Sequence, residues 1–268
     1  MTEVPQTEFA VVKQCCADIY GSEGAKYLLG DSFHPGGLRL TEEIGVLLSL
    51  GPESLVLDVA SGKGTSAIFL AEKFGCKVIG IDLSEKNVTD ANAAAASHGL
   101  NALVTFRLGD AETLPFTAGI FDAILCECAF CTFPSKKLAA LEFERVLKAG
   151  GRVGISDITK DKLSIPGLDG LLAWIACIGD AQSLQRYADL LSSTGLIIQV
   201  VEQRSHYLRE MVQGIRSKLL VAEIMIGLKK LDIPGLDLGT AKAFSSAAQE
   251  AIAAGELGYG IVVATKKS

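Results

Sequence analysis

Residues 55–66 combine the residue types that form a binding turn for a small ligand. A short apolar run ends with the carboxylate of Asp58, and Gly62 and Gly64 follow before Ser66 opens another apolar run. Glycine lets the backbone turn sharply and approach a ligand closely. The amides at the start of the next helix then face the ligand. The stretch therefore predicts a strand, a tight turn and a helix around a small-molecule site.

A second carboxylate lies at the end of the next apolar run. Residues 77–82 end in Asp82, sixteen residues after Ser66. A carboxylate at the end of the second strand of such a unit can accept hydrogen bonds from the hydroxyls of a ribose. Together with the glycine turn, Asp82 predicts a site for a nucleoside cofactor.

The glycines alone fit two classes of cofactor. Gly62, Gly64 and Ala67 satisfy a loose dinucleotide fingerprint. A dinucleotide-binding domain commonly begins with this strand, however, whereas about fifty residues precede it here. The choice between the two classes therefore depends on the motifs that follow.

The chain also has seven cysteines, several of which fall near the predicted site. Cys126, Cys128 and Cys131 lie at or just after the end of a fourth apolar run, and Cys177 lies in a later predicted helix. Taken singly, each is most simply a small buried hydrophobe. The Cys128–Cys131 spacing resembles half of a zinc site, but there is no second pair or histidine partner, which disfavours structural zinc.

Helices and strands must alternate to position these residues. Apolar runs at residues 55–59, 77–82, 103–108, 121–125 and 152–158 predict strands, and helical patterns separate them. Further helices are predicted at 168–178, 183–193, 207–231 and 239–253, with strands at 196–203 and 258–265. This alternation predicts an α/β fold with a doubly wound, mostly parallel sheet, which binds ligands beyond the carboxyl ends of its strands.

Composition excludes several classes of partner. The chain of 268 residues has 25 basic and 31 acidic residues, a net charge of −6, and no basic cluster longer than a pair before its last residues. Nucleic acid is therefore not an expected partner. Apolar runs are too short for a membrane span, and no signal peptide is recognisable, so we expect a cytoplasmic protein whose cysteines are thiols. The oligomeric state is open.

The motifs occur in an order that resembles the class I S-adenosylmethionine-dependent methyltransferases. After the glycine turn and Asp82 come residues 109–112 (Gly-Asp-Ala-Glu), 121–125 (Phe-Asp-Ala-Ile-Leu) and 147–153 (Leu-Lys-Ala-Gly-Gly-Arg-Val). The resemblance covers roughly residues 55–157. It implies a Rossmann-like seven-stranded sheet with N-terminal cap helices, and a helical insertion before a last, antiparallel strand.

The resemblance also implies which residues bind S-adenosylmethionine. Carried over position by position, they are Asp58, Ala60, Ser61, Gly62, Gly64, Asp82, Leu83, Asp110, Ala111, Glu112 and Cys126. The carboxylate of Asp110 is expected to accept the exocyclic amine of adenine. Ala60 departs from the usual glycine of the family, which we expect to be a mild change.

The same resemblance divides the chain into three parts of one domain. Residues 1–50 are predicted cap helices, with Thr41 capping the second. Residues 51–160 are the cofactor-binding core, and residues 161–268 are the substrate-side insertion and the C-terminal strands. The loop that begins at His34 either folds over the methionine end of the cofactor or is a simple turn.

A closer resemblance appears at the cysteines. Residues 121–128 (Phe-Asp-Ala-Ile-Leu-Cys-Glu-Cys) and the segment that begins at Cys177 resemble the arsenite methyltransferases. Cysteine thiolates from these two places hold the arsenic in that family, so the resemblance assigns Cys128 and Cys177 as catalytic ligands of the substrate. Ser66 and Ala67 occupy the region where many members have a further cysteine. Cys15, Cys16, Cys131 or an external thiol could supply a third ligand.

Three functions are compatible with these observations. The first is methylation of trivalent arsenic, a soft acceptor that suits sulfur ligands. The second is methylation of a small organic acceptor, with the cysteines only lining the pocket. The third is cofactor binding without catalysis. In the first two, the protein must mainly exclude water and align the acceptor with the activated methyl group, which needs little acid–base machinery.

Overall fold

The structure, a computed structural model, describes residues 34–227 and 237–268. A single seven-stranded sheet organises these residues, with strands in the spatial order β3-β2-β1-β4-β5-β7-β6. All neighbours from β3 to β5 are parallel, whereas β7 is antiparallel to both β5 and β6. The predicted α/β class and the mostly parallel, Rossmann-like seven-stranded sheet are therefore confirmed.

Six strands follow the predicted apolar runs to within two residues, whereas β5 begins five residues before the predicted strand. The strands are β1 (Leu55–Val59), β2 (Lys77–Asp82), β3 (Val104–Leu108), β4 (Phe121–Glu127), β5 (Leu147–Lys160), β6 (Ile197–Gln203) and β7 (Leu257–Thr265).

Helices cover the sheet and connect the strands. Those in the described residues are α1 (Gly37–Leu47), α2 (Thr65–Phe74), α3 (Glu85–Ser97), α4 (Lys136–Val146), α5 (Gly170–Ile175), α6 (Leu184–Ser192), α7 (Ser205–Gly227) and α8 (Leu238–Ala253), with a short 3₁₀ turn at Phe130–Thr132. The long helices α7 and α8 lie between β6 and β7 in sequence, as the predicted insertion requires. Within these described ranges, no helix is both long and apolar enough to cross a membrane.

The central strands are apolar throughout because helices cover both faces of the sheet. Val56 and Leu57 of β1 are adjacent in sequence, face opposite sides, and are both fully buried. A strand enclosed in this way reads as a continuous apolar run rather than as an alternating pattern. Its polar residues are then confined to its ends, where the candidate site lies.

Several predicted helix boundaries were wrong. Helix α5 covers only Gly170–Ile175, rather than residues 168–178, so Cys177 lies beyond its end with a φ of 60°. Thr41 does not cap α1, which begins at Gly37; Thr41 lies inside the helix and its hydroxyl contacts Gly37 O at 3.4 Å. The predicted first cap helix, with Cys15 and Cys16, lies outside the described residues.

The ring of Phe106 on β3 fits against two glycines beside the predicted ligand turn. A Cβ atom at Gly80 of β2 would lie 2.2 Å from Phe106 Cδ1, and one at Gly64 would lie 2.4 Å from Phe106 Cζ. Phe106 is only 6% exposed, so the ring has little room to move. Gly64 and Gly80 therefore leave the space that Phe106 fills, in addition to the role of Gly64 in the turn.

Gly80→Ala should destabilise the protein by about 1–3 kcal/mol, because the added methyl group overpacks the space that Phe106 fills. Urea unfolding would measure the change. Gly51→Ala is the control, since nothing lies within 4 Å of a Cβ there and its backbone is not left-handed. Adding Phe106→Leu to Gly80→Ala should recover part of the loss. Equal stability of Gly80→Ala and the wild type would contradict this packing.

Candidate active site

Three carboxylates meet at one edge of the sheet. Asp58, Asp82 and Glu127 are at or near the carboxyl ends of β1, β2 and β4, and β1 pairs in parallel with both neighbours. Parallel pairing brings these ends to the same edge. The arrangement was predicted for Asp58 and Asp82 but not for Glu127.

The turn after β1 is tied to the end of β2. Ser61 N–H donates to Ile81 O at 2.9 Å, and Gly62 N–H donates to Asp82 Oδ2 at 2.9 Å. Ala60 has a φ of 57°, in the left-handed region that favours glycine. The expectation that alanine is a mild change there was therefore wrong, because the side chain adds a local conformational cost of roughly 1–2 kcal/mol.

Asp82 is held by donors from three directions. Besides Gly62 N–H, its other oxygen Oδ1 accepts from Ser84 N–H at 2.9 Å and from Asn87 Nδ2 at 3.1 Å. Burial raises the pKa of this carboxyl, and the donated hydrogen bonds oppose the rise. A carboxylate oxygen has about two acceptor positions, and Gly62 N–H takes one at Oδ2, so Oδ2 can also accept from a ligand. Leu83, the next residue, is 45% exposed.

Asp58 has an unsatisfied oxygen. Its side chain is 3% exposed, and within the described part of the chain Oδ2 has no hydrogen-bond partner. Burial raises the pKa of this carboxyl well above its usual range, and the nearby Glu127 and Asp82 raise it further. A buried oxygen without a partner is costly, so it marks a place where a donor or a cation would be stabilised.

Glu127 is the residue that sequence reasoning missed. Its Oε2 accepts from Ser66 Oγ at 2.7 Å and lies 3.1 Å from Thr41 Oγ1 and 3.4 Å from His34 Nε2. Helices α1 and α2 and the loop at His34 thus converge on one buried carboxylate. The available signal was an acidic residue ending a third apolar strand, as at Asp58 and Asp82.

The segment predicted to contact adenine follows β3. Asp110 Oδ1 accepts from Glu112 N–H at 2.9 Å, and Glu112 Oε1 accepts from Ser135 N–H at 2.7 Å, just before α4. Ala111 between them is buried. These bonds fix the segment against the start of α4, at the same edge of the sheet as Asp82.

Cys128 and Cys177 come together as predicted. The Cys177 thiol donates to Cys128 O at 3.3 Å, and the two thiols also hydrogen-bond each other. Both residues have left-handed backbones, with φ values of 51° and 60°. Non-glycine residues rarely adopt this conformation, and at functional sites it is a recurrent form of stored strain.

Cys131 joins this pair. It lies in the 3₁₀ turn, where its N–H donates to Asp157 Oδ2 at 2.8 Å, and its thiol hydrogen-bonds the Cys177 thiol and the Asp157 carboxylate. We call Cys128, Cys131 and Cys177 the thiol cluster. The pKa of Asp157 is raised to about 7, first by burial and then by Cys177, against the hydrogen bonds donated by Cys131 and Ile158.

The thiols of Cys128 and Cys131 are protonated at neutral pH. The pKa of Cys128 is raised well above its usual range, first by its hydrogen bond to Cys177 and then by burial. Burial, and then the Cys177 contact, raises the pKa of Cys131. At the predicted arsenic site Cys128 is therefore a neutral thiol rather than the expected thiolate, because its hydrogen bond to Cys177 and its burial disfavour the charged form.

The remaining cysteines lie elsewhere. Cys126 is fully buried in β4. Cys76 lies just before β2, at the opposite edge of the sheet, where its thiol donates to Leu70 O at 3.5 Å. Cys15 and Cys16 lie outside the described residues. Within residues 34–227 and 237–268, no group of three or more His, Cys, Asp or Glu side chains is arranged to hold a metal ion.

Known methyltransferases resemble part of the chain. Methyltransferase GfsG from Streptomyces halstedii is 31% identical over 170 residues, covering 62% of this chain and 61% of that protein. Phosphoethanolamine N-methyltransferase 1 from Zea mays is 30% identical over 190 residues, covering 69% of this chain and 37% of that protein. The chain thus spans less than two thirds of the length of either relative.

A solved structure shares the fold. Phosphoethanolamine N-methyltransferase 2 from Haemonchus contortus, in complex with S-adenosyl-L-methionine, matches with a TM-score of 0.77 at 18% identity, covering 96% of this chain and 60% of that one. A family model described as "Methyltransferase domain" matches residues 51–213, which include the glycine turn, all three edge carboxylates and the thiol cluster. The chain therefore belongs to this methyltransferase domain family.

Proposed function

We propose that this protein transfers a methyl group from S-adenosylmethionine to trivalent arsenic, either arsenite or methylarsenite, held by Cys128 and Cys177. The observation that carries the proposal is the meeting of these two cysteines, 49 residues apart in the chain, at the edge of the sheet that carries the cofactor residues. Both have strained backbones, which a merely lining residue does not need.

The edge carboxylates fit the cofactor. Asp82, with acceptor capacity left, would hold the ribose hydroxyls, and the turn at Gly62 and Gly64 would face the methionine part. The unpartnered Asp58 Oδ2 offers an acceptor to the ammonium group. A cationic ligand also suits a buried edge where carboxylates raise one another's pKa.

The segment at residues 110–112 completes the proposed cofactor site. Asp110 and Glu112 would lie beside adenine, with Asp110 accepting its exocyclic amine, and Ala111 gives an apolar contact. Leu83, whose side chain is half-exposed next to Asp82, offers a second apolar surface for the base. Ala60 and Ser61 would contribute through the backbone of the turn.

Little proton chemistry is required of the protein. When bound, S-adenosylmethionine supplies an activated methyl group, which the acceptor's lone pair takes as the carbon–sulfur electron pair returns to sulfur. The chain's own residues hold the acceptor in line and exclude water from it. Cys128 and Cys177 would do this because soft sulfur ligands bind soft arsenic strongly.

Protonated thiols are compatible with arsenic binding. Arsenite carries hydroxyl groups, so a thiol can form an As–S bond while an As–O bond breaks and the thiol proton leaves with the hydroxide as water. No separate thiolate state is needed before binding. The raised pKa values of Cys128 and Cys131 also keep these two thiols neutral beside Asp157.

A small organic acceptor is the second candidate. The maize relative is named for an organic acceptor, phosphoethanolamine. Cys131 and Cys177 are 1% and 2% exposed, as apolar lining residues would be. Assaying labelled methyl transfer to arsenite plus thiol, beside a panel of amines, quinols and thiols, separates the candidates. Transfer to arsenite alone supports the proposal, and transfer only to an organic acceptor rejects it.

Asp82→Ala should weaken S-adenosylmethionine binding by at least tenfold. Charge-assisted hydrogen bonds to a carboxylate are worth about 1.5–3 kcal/mol each, and the variant loses those to the ribose. Isothermal titration calorimetry measures the affinity. Asp90→Ala is the control, because Asp90 forms an exposed ion pair with Lys86. Unchanged affinity of Asp82→Ala, or tight NAD binding by the wild type, would reject the cofactor assignment.

Cys128→Ser and Cys177→Ser should each reduce arsenite methylation at least about tenfold. Loss of a residue that only supports a metal ligand already lowers metal affinity or activity by roughly ten- to hundredfold, and loss of the ligand itself should cost no less. Serine replaces soft sulfur with a hard hydroxyl at nearly constant volume. Affinity for S-adenosylmethionine should persist, because neither side chain is assigned to it. Product arsenic species are quantified by chromatography with elemental detection.

Cys76→Ser is the matched control for these two variants. It also removes a buried thiol, but at the opposite edge of the sheet, so arsenite methylation should persist. Wild-type rates of arsenite methylation in Cys128→Ser and Cys177→Ser would show that these cysteines only line the pocket.

A further inference from the structure

We infer that Cys131 is the third sulfur ligand of the arsenic site, so that the whole thiol cluster binds the substrate. The inference rests on the proposed function and specifies its ligand set. It is drawn from the position of the 3₁₀ turn, which carries a cysteine into contact with the predicted pair.

Packing fixes the turn that carries Cys131. Phe130 is fully buried and makes an edge contact with Tyr187, with ring centroids 5.8 Å apart. The Tyr187 hydroxyl in turn donates to Ile158 O of β5 at 3.0 Å. With Cys131 N–H bonded to Asp157, the turn is tied to β5 both through the core and through its backbone. The position of the Cys131 thiol is therefore set by the fold.

The contacts of Cys131 distinguish it from the other cysteines as a candidate third ligand. Its thiol hydrogen-bonds Cys177, which also contacts Cys128, so Cys177 links the three. Cys126 is as close in sequence, but its electrostatic neighbours are Asp157, Asp58 and Glu127 rather than another thiol. At the position after the glycine turn, Ser66 donates its hydroxyl to Glu127. Among the described cysteines, Cys131 is thus the one placed to complete the pair.

The bonding of trivalent arsenic determines how three thiols would hold it. Trivalent arsenic forms three bonds on one side and keeps its lone pair on the other. Three thiols on the protein side would therefore leave the lone pair facing the methyl donor.

Binding would proceed from the accessible thiol inward. Cys128 is partly exposed, whereas Cys131 and Cys177 are 1% and 2% exposed. At each thiol an As–S bond forms, an As–O bond breaks, and the thiol proton leaves with the hydroxide. Arsenite and three thiols thus give one tris-thiol complex and three waters, with no change of oxidation state.

The test compares two arsenicals with different numbers of bonds available to thiols. Arsenite can bind three thiols, whereas phenylarsine oxide binds two because its phenyl group occupies the third position. Binding to the full chain is measured without S-adenosylmethionine by equilibrium dialysis with elemental detection, using a phosphine reductant and no added thiol. The proteins are the wild type, Cys131→Ser, Cys131→Ala, Cys128→Ser, Cys76→Ser and a Cys15→Ser/Cys16→Ser variant.

Both Cys131 variants should bind arsenite at least about tenfold more weakly than the wild type. Loss of a residue that supports a metal ligand already weakens metal binding by roughly ten- to hundredfold. Both variants should keep wild-type affinity for phenylarsine oxide, which also shows that they are folded. Added monothiol should restore their arsenite binding by supplying the third sulfur. Cys128→Ser should also lose arsenite affinity, because it too leaves only two thiols, and Cys76→Ser should keep wild-type affinity for both arsenicals.

Three other results would overturn either the role of Cys131 or the proposed function. Wild-type arsenite affinity in both Cys131 variants would overturn the inference and leave the proposed function standing. Loss of arsenite affinity in the Cys15→Ser/Cys16→Ser variant instead would assign the third ligand there and also overturn it. Failure of the wild type to bind either arsenical would reject the proposed function itself.

Discussion

The burial of carboxylates at one edge of a parallel sheet is the constraint on which the site depends. Asp58, Asp82, Glu127 and Asp157 come from four neighbouring strands, and parallel pairing gives these strands a common edge. Burying several acids together is costly unless each finds donors. The turn amides, the hydroxyls of Ser66 and Thr41, and the N–H of Cys131 supply them. Within the described residues Asp58 keeps one oxygen unmatched, which a cationic ligand would satisfy.

The end of β4 divides this edge into two environments. Glu127 contacts the hydroxyls of α1 and α2, whereas the next residue, Cys128, turns into a left-handed conformation and meets Cys177. Glu127 therefore faces a hard pocket of hydroxyl and carboxyl oxygens, whereas Cys128 faces soft sulfur. A site that brings a cationic methyl donor to a soft acceptor needs both environments side by side.

Much of this arrangement could be predicted from the sequence because it depends on local patterns. Fully buried strands give continuous apolar runs, so the acids that end them, Asp58 and Asp82, could be assigned to a common edge from the order of runs and turns alone. Cys128 and Cys177 could be paired only through family resemblance. Their pairing in space depends on the segment around α5, whose limits were predicted wrongly.

The remainder depends on packing between distant segments. The sequence predicts that Thr41 caps a helix. In the structure α1 begins earlier, and the Thr41 hydroxyl points toward Glu127, 86 residues away in the chain. The role of Glu127 has no local signature apart from its place at a strand end. Cys131 reads as half of a zinc motif, and only the 3₁₀ turn and its bond to Asp157 bring the thiol to Cys177.

A single-turnover experiment tests the central claim most directly. Wild-type protein is loaded with arsenite, freed of excess arsenite and thiol, and mixed with S-adenosylmethionine. The quenched mixture is then analysed for arsenic species and for S-adenosylhomocysteine. The account predicts methylated arsenic and S-adenosylhomocysteine in equal amounts. Recovery of unmethylated arsenic from protein that binds S-adenosylmethionine, with transfer seen only to an organic acceptor, would contradict it.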